Sequence, residues 1–167
     1  MHAPWRLLVV AAALGITLAG CGQSGGGDGA APQPVDLEFT VPTVDGGTFH
    51  GTQLSGRPAV LWFWAPWCVI CAGQAPHVTA LAADYAGQVT FVGVAGLDDS
   101  VEAMQRFIDL TGVGDLAHLA DREGVVWQRF DITSQSSFAV LDADGVVVAS
   151  GLIRPTDLPD HLDRLVG

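Results

Sequence analysis

The sequence predicts an α/β protein with a central mixed β-sheet flanked by helices and a short β-hairpin added at the N-terminal end of the domain. Three observations predict it. Ala59 to Trp64 is an unbroken apolar run rich in aromatic and β-branched residues, which suits a strand buried on both faces. Residues 72–86 have helix-forming composition with Val78, Leu81, Ala82 and Tyr85 at helical spacing, and Val89 to Ala95 is a second apolar run. Strand, helix and strand in that order make a parallel βαβ unit. Finally, Phe138–Leu141 and Val146–Ala149 are joined through Asp142-Ala143-Asp144-Gly145, a hairpin with an Asp-Gly turn that adds antiparallel pairing.

The remaining elements follow in chain order. Leu37 to Val41 alternates, Asp45-Gly46-Gly47 supplies a turn, and Thr48-Phe49-His50 completes the N-terminal hairpin. Leu54 to Pro58 turns the chain into the central strand. After the βαβ unit, Asp98-Asp99-Ser100 starts a helix over Val101–Leu110 with Met104, Phe107 and Ile108 on one face and acids near its positive end. A short strand around Leu116–Ala120 and a helix from Gly124 to Phe130 come next. The closing helix is expected from Thr156 to Val166, with Thr156 as its cap. No internal repeat is visible.

Composition and the first residues bound where the chain works. Residues 1–20 carry one early cation, Arg6, then an apolar run from Leu7 to Leu18 and small residues, the pattern of an export signal and too short for a lone transmembrane helix. Leu18-Ala19-Gly20-Cys21 resembles the bacterial lipobox, so Cys21 is expected to carry lipid and to become the first mature residue. Residues 21–34 are rich in Gly, Ser, Ala and Pro, the composition of a flexible tether, and residues 35–167 suffice for one domain core and not for two. Export implies an oxidising compartment. The chain has 18 acidic residues, seven arginines and no lysine, for a net charge of −11, which argues against nucleic acid as a partner.

The chemistry is concentrated in Trp64-Ala65-Pro66-Trp67-Cys68-Val69-Ile70-Cys71. Pro66 ends the strand, so Cys68 falls at the start of the helix, where free N–H groups and the helix dipole stabilise a thiolate. Cys71, about one helical turn further on, is close enough to attack Cys68 in a mixed disulfide and release a bound partner. This is the chemistry of a dithiol exchanger. A zinc site would need further Cys or His ligands at fitting spacing, and the only other cysteine is Cys21. A purely static disulfide across two residues would close a tiny loop and stabilise little. Trp62 and Trp64 are expected in the core.

Strand, Cys-x-x-Cys helix, strand, helix, hairpin and closing helix is the order of the thioredoxin fold. The resemblance covers nearly all of residues 35–167 and extends to the extracytoplasmic thioredoxin-like branch, the TlpA/ResA and DsbE/DsbF-type proteins. It rests on Phe39 to Gly46, Trp62 to Cys68, Phe91 to Val94, Ala120 to Gly124 and Leu141 to Gly145. Val60–Cys68 and Phe91–Leu97 look most like lipoprotein DsbF-type proteins of actinobacteria. The resemblance implies a thioredoxin-like fold and a membrane-anchored thiol–disulfide oxidoreductase. In it Cys68 is the exposed attacking thiol, Cys71 is the buried resolving thiol, Trp67 covers the disulfide beside Pro66, and Pro76 kinks the active-site helix. It also implies exported proteins bearing thiols or disulfides as substrates, a membrane redox partner that recycles the couple, and no cofactor or metal beyond the Cys68–Cys71 disulfide. A monomer is expected.

Three features depart from the resemblance. Relatives keep a cis-proline before the strand that starts near Phe138. Here Ser136 stands there, and Gln135-Ser136 is expected to be trans because a cis bond before a non-proline residue costs about 3–4 kcal/mol. Ser136 also has a hydroxyl to offer a cysteine sulfur. Where relatives commonly place a glutamate three residues after the second cysteine, this chain has Gln74, which neither takes nor gives a proton; Glu38 is a substitute only if its strand turns it inward, and His77 is expected on the helix surface. Val69-Ile70 brings no additional donor to the thiolate, so the direction of reaction stays open. The competing readings are a reductant in cytochrome c maturation, a soft-metal protein using both thiolates, and a binding module without turnover. A peroxidase is disfavoured because Ala65 occupies the place, three residues before the cysteine, where peroxiredoxins keep Thr or Ser.

Overall fold

The computed structural model describes residues 33–167. The expected leader, Cys21 and the tether as far as residue 32 lie outside the described residues. Strands β1 (Thr40–Pro42) and β2 (Thr48–His50) form a two-stranded antiparallel ribbon. Then follow β3 (Ala59–Trp64), helix α1 (Val69–Asp84), β4 (Thr90–Ala95), α2 (Val101–Thr111), β5 (Ala117–Ala120), α3 (Val125–Arg129), the hairpin β6 (Ser137–Leu141) and β7 (Val147–Gly151), and α4 (Leu158–Val166). The main sheet has the order β5-β4-β3-β6-β7. β3 lies in its middle, parallel to β4 from Ala59↔Thr90 to Trp64↔Ala95 and antiparallel to β6 from Ala59↔Leu141 to Phe63↔Ser137. The mixed sheet, the flanking helices and the N-terminal ribbon are those the sequence predicts.

Every residue of β3 is buried because the strand feeds two cores at once. Val60, Trp62 and Trp64 face α1, α2 and α4, where they pack with Val78, Phe107 and Leu162. Leu61 and Phe63 face the N-terminal ribbon and α3, where they pack with Phe49, Trp127 and Phe130. The period of two along a strand thus divides one apolar run between two layers. α2 is capped at both ends: Ser100 Oγ accepts from the Ala103 amide at 3.1 Å, and Gly112 adopts φ +70° at the C-terminus.

The structure moves several boundaries. The first strand begins at Thr40 and not at Leu37, because the chain before it is folded on itself: Asp36 Oδ1 accepts from the Glu38 amide at 2.9 Å and the Phe39 amide donates to Leu37 O at 2.9 Å. α1 begins at Val69, three residues earlier than expected; its first turn holds two β-branched residues that hide the helical pattern. Thr156 is not the cap of the closing helix. Residues Pro155–Asp157 form a 3₁₀ turn in which the Leu158 amide donates to Pro155 O, since Pro159 has no N–H to close an α-type bond to that carbonyl.

Gly93, in β4, permits the closest approach in the core. A Cβ placed on it would lie 2.1 Å from His118 Nδ1 and 2.8 Å from Trp64 Nε1. Gly93→Ala is therefore expected to cost about 1–3 kcal/mol of stability, measured by urea denaturation, with an unchanged fold by circular dichroism; an unaffected midpoint would show that the two rings are not wedged as described.

Candidate active site

Cys68 closes the turn between β3 and α1. Its amide donates to Ala65 O at 3.0 Å, its backbone stays extended at φ −84° and ψ 103°, and it forms the N-cap of α1. The capping acceptor is the sulfur itself: the Cys71 amide donates to Cys68 Sγ at 3.0 Å. A sulfur in this position receives both a direct N–H bond and the positive end of a 16-residue helix. Cys68 and Cys71 are joined as a disulfide, with Cα atoms 5.2 Å apart. Cys71 is sealed at 0% exposure, whereas Cys68 keeps 5% and lines an open groove of about 380 Å³. The groove wall is apolar along Trp67, Phe107 and Leu110, with Asp98 and Arg106 as its charged members.

Around the disulfide the surface is unusually apolar. Trp67 is 54% exposed, Val69 84% and Ile70 68%, so a partner that reaches Cys68 covers hydrophobic area first. Trp67 Nε1 donates to Leu97 O at 3.4 Å, which ties the active-site turn to the loop after β4. Pro66 lines the groove beside Trp67, and Pro76 lies inside α1.

The buried residues near the site belong to a connected set. Trp62 Nε1 donates to Gln74 Oε1 at 2.9 Å, and Gln74 Nε2 donates to Ser136 O at 3.1 Å. Trp64 stacks on Phe107, with centroids 4.4 Å apart, and meets the edge of His118 at 5.5 Å. His118 Nε2 bonds Val113 O at 2.9 Å, while its Nδ1 and the Trp64 indole N–H have no hydrogen-bond partner. Burial pushes the His118 pKa below its ordinary value, against the opposing pull of the Val113 carbonyl, so the ring is held neutral. On β5's far side, burial raises the Asp121 carboxyl pKa although the Val126 and Trp127 amides donate to it at 2.8 and 2.9 Å.

Placement of the sequence-derived residues is mixed. Trp62 and Trp64 are core residues, and His77 is on the exposed face of α1. The Gln135-Ser136 bond is trans, since the described residues contain no cis peptide, but Ser136 has φ +60°. Its hydroxyl donates to Gln135 O at 2.7 Å and not to a cysteine sulfur, because the left-handed backbone turns it onto its own chain. Glu38 is exposed outside any strand and takes no part. Among the described residues no cluster of three or more His, Cys, Asp or Glu side chains is arranged to hold a metal ion. The Gln74 bridge and the His118 contact go beyond the sequence reading; the amide three residues after the second cysteine is the one signal for the first.

A mixed sheet of this order carrying a Cys-x-x-Cys disulfide on a helix N-terminus defines a thioredoxin-like dithiol–disulfide protein. The chain belongs to the AhpC/TSA family, which its residues 32–150 match. It is 46% identical to MTB DsbF, solved in mixed oxidised and reduced forms, over 79% of this chain and 98% of that one, with a TM-score of 0.73. It is 36% identical to a secreted Mycobacterium tuberculosis disulfide oxidoreductase homologous to E. coli DsbE, over 77% and 97% of the two chains, with a TM-score of 0.69. Both are similar to this chain over nearly their whole lengths, and they place its likeness with proteins of the DsbE/DsbF type. Among curated relatives, the soluble secreted antigen MPT53 of M. tuberculosis is 43% identical over 109 residues; the match covers 65% of this chain and 61% of that protein's length.

The neutral His118 makes stability depend on pH. Above its ordinary value of 6.5 the ring is uncharged folded or unfolded. Below it the unfolded chain takes up a proton that the folded chain refuses, so stability falls with falling pH until the lower folded-state pKa is reached. Urea denaturation at pH 7.5 and 5.5 is expected to show this loss, and His118→Gln to reduce it; an identical loss in the variant would assign it to other groups.

Proposed function

We propose that the protein is an extracytoplasmic thiol–disulfide oxidoreductase that donates its Cys68–Cys71 disulfide to exported proteins. The observation that carries this reading is the Cys68 sulfur, which caps α1, lines an open apolar groove, and is bonded to the Cys71 sulfur sealed behind it. Similarity to proteins described as secreted supports the location. Lipid on Cys21 and the tether of residues 21–34 would hold domain 35–167 at the membrane surface, where a membrane redox partner would reoxidise it.

The steps follow from which sulfur is reachable. A substrate thiolate attacks Cys68 Sγ, the electron pair of the disulfide leaves on Cys71 Sγ, and that sulfur takes a proton. A second substrate thiolate then attacks the substrate sulfur of the mixed disulfide, forming the substrate's disulfide and expelling the Cys68 thiolate. The Cys71 N–H is already aimed at the sulfur on which that charge appears. The substrate dithiol is oxidised and the Cys68–Cys71 pair is reduced by two electrons. Stabilising the Cys68 thiolate stabilises the reduced form, and this raises the oxidising power of the couple. Exchange with thiols and disulfides needs no further cofactor.

Reduced, unfolded ribonuclease A tests the assignment. Oxidised wild-type protein is expected to form disulfides in it, and Cys68→Ser and Cys71→Ser to abolish this. Incubated with glutathione disulfide, Cys71→Ser is expected to retain a stable mixed disulfide on Cys68 that mass spectrometry detects. Wild-type levels of activity in both variants would refute the roles given to the two cysteines.

A further inference from the structure

Gln74 is the only amide on the buried face of α1, a stripe otherwise made by Cys71, Ala75, Val78 and Leu81. An amide in such a place needs partners for both its ends. Its Oε1 takes the Trp62 indole N–H at 2.9 Å and its Nε2 gives a hydrogen to Ser136 O at 3.1 Å, so one side chain joins β3, α1 and the loop before β6. Ser136 is the residue in that loop that needs holding. It is not glycine, yet its φ is +60°, in the left-handed region that L residues enter at a cost and keep only when their surroundings fix them. Its own hydroxyl bonds back to Gln135 O, so it does nothing to anchor the carbonyl that points at α1. On the far side of this contact lies a second open groove of about 510 Å³, lined by Ile70, Gly73, Gln74, Ser136, Leu152 and Ile153. It runs from the exposed first turn of α1, which carries the disulfide, to the segment after β7.

We propose that Gln74 is a positioning residue for substrate docking: its amide N–H holds the left-handed Ser136 loop in the shape that receives the substrate chain in the groove that starts at Ile70, between the two cysteines. The reason for an amide is then specific. Ser136 presents a carbonyl acceptor and Trp62 presents an N–H donor, so residue 74 must accept at one atom and donate at the other. A carboxylate satisfies Trp62 and opposes Ser136; a protonated carboxyl satisfies both. The two departures at positions 74 and 136 become one device, because the loop conformation adopted without proline puts a carbonyl where only a donor can meet it. This inference rests on the exchange reading above, but it concerns which substrates are received and not whether the disulfide reacts.

The test compares two reductants of the oxidised protein: reduced, unfolded ribonuclease A, which must dock, and dithiothreitol, which is too small to use the groove. The ratio of the two rates removes the intrinsic reactivity of the disulfide at each pH. Gln74→Met, which loses both bonds, is expected to lower that ratio about tenfold, the scale of the one bond that holds the Ser136 loop. Gln74→Glu is expected to have a low ratio at pH 8 that climbs towards the wild-type ratio as the pH is lowered to 5 and the carboxyl gains its proton. An unchanged ratio in Gln74→Met, or a fall in both rates by the same factor, would overturn the proposal. If Gln74→Met does not fold, a pH-independent ratio in Gln74→Glu would overturn it. Failure of the wild-type disulfide with both reductants would refute the exchange reading itself. Amide hydrogen exchange over residues 134–137 then still decides the role of Gln74: faster exchange in Gln74→Glu at pH 8 than in wild type supports the hold, and equal protection overturns it.

Discussion

The bond from the Cys71 amide to the Cys68 sulfur is the constraint on which the site depends. It exists because a doubly buried strand stops at Trp64, a short turn follows, and the helix begins at Val69. A longer turn would move the sulfur off the helix end, and a weaker strand would leave that end unplaced. The same turn decides exposure: the first sulfur faces the groove and the second faces the core, one helical turn deeper. Reactivity and the order of the two thiols therefore have a common geometric origin.

Support for this turn comes from residues packed behind it. β3 sends alternate side chains into two cores, so neither layer can shift without moving the strand that carries the active-site turn. Trp64, the last residue of that strand, stacks on Phe107, and Phe107 also lines the groove. Its other neighbour is the neutral His118, and both rings fit only because position 93 lacks a side chain. At the opposite end of the helix, Tyr85 donates to Asp163 at 2.5 Å and its pKa is pushed up to about 12, first by that bond and then by burial, tying α1 to α4.

Much of this was legible in the sequence, because the signals were local. The apolar run 59–64, the Cys-x-x-Cys spacing and the Asp-Gly hairpin each carry their meaning within a few residues. The closing helix starts two residues later than Thr156, which looks like a cap, because the consequence of Pro159 for the Pro155 carbonyl lies in the backbone bonding pattern. Ser136 stands out because relatives keep proline there, but its left-handed turn is not legible in its identity alone. The partners of Gln74 were hidden for a different reason: Trp62 is 12 positions away and Ser136 is 62, and nothing local pairs them.

A disulfide donor and a thiol reductant share this fold and this pair of cysteines, and they differ in how strongly the reduced form is stabilised. The reduction potential of the Cys68–Cys71 couple, measured in glutathione buffers, therefore tests the account most directly. A sulfur capped by a helix N–H predicts an oxidising couple, at about −180 mV or above. A value near −270 mV, where thioredoxin-type reductants lie, would contradict it.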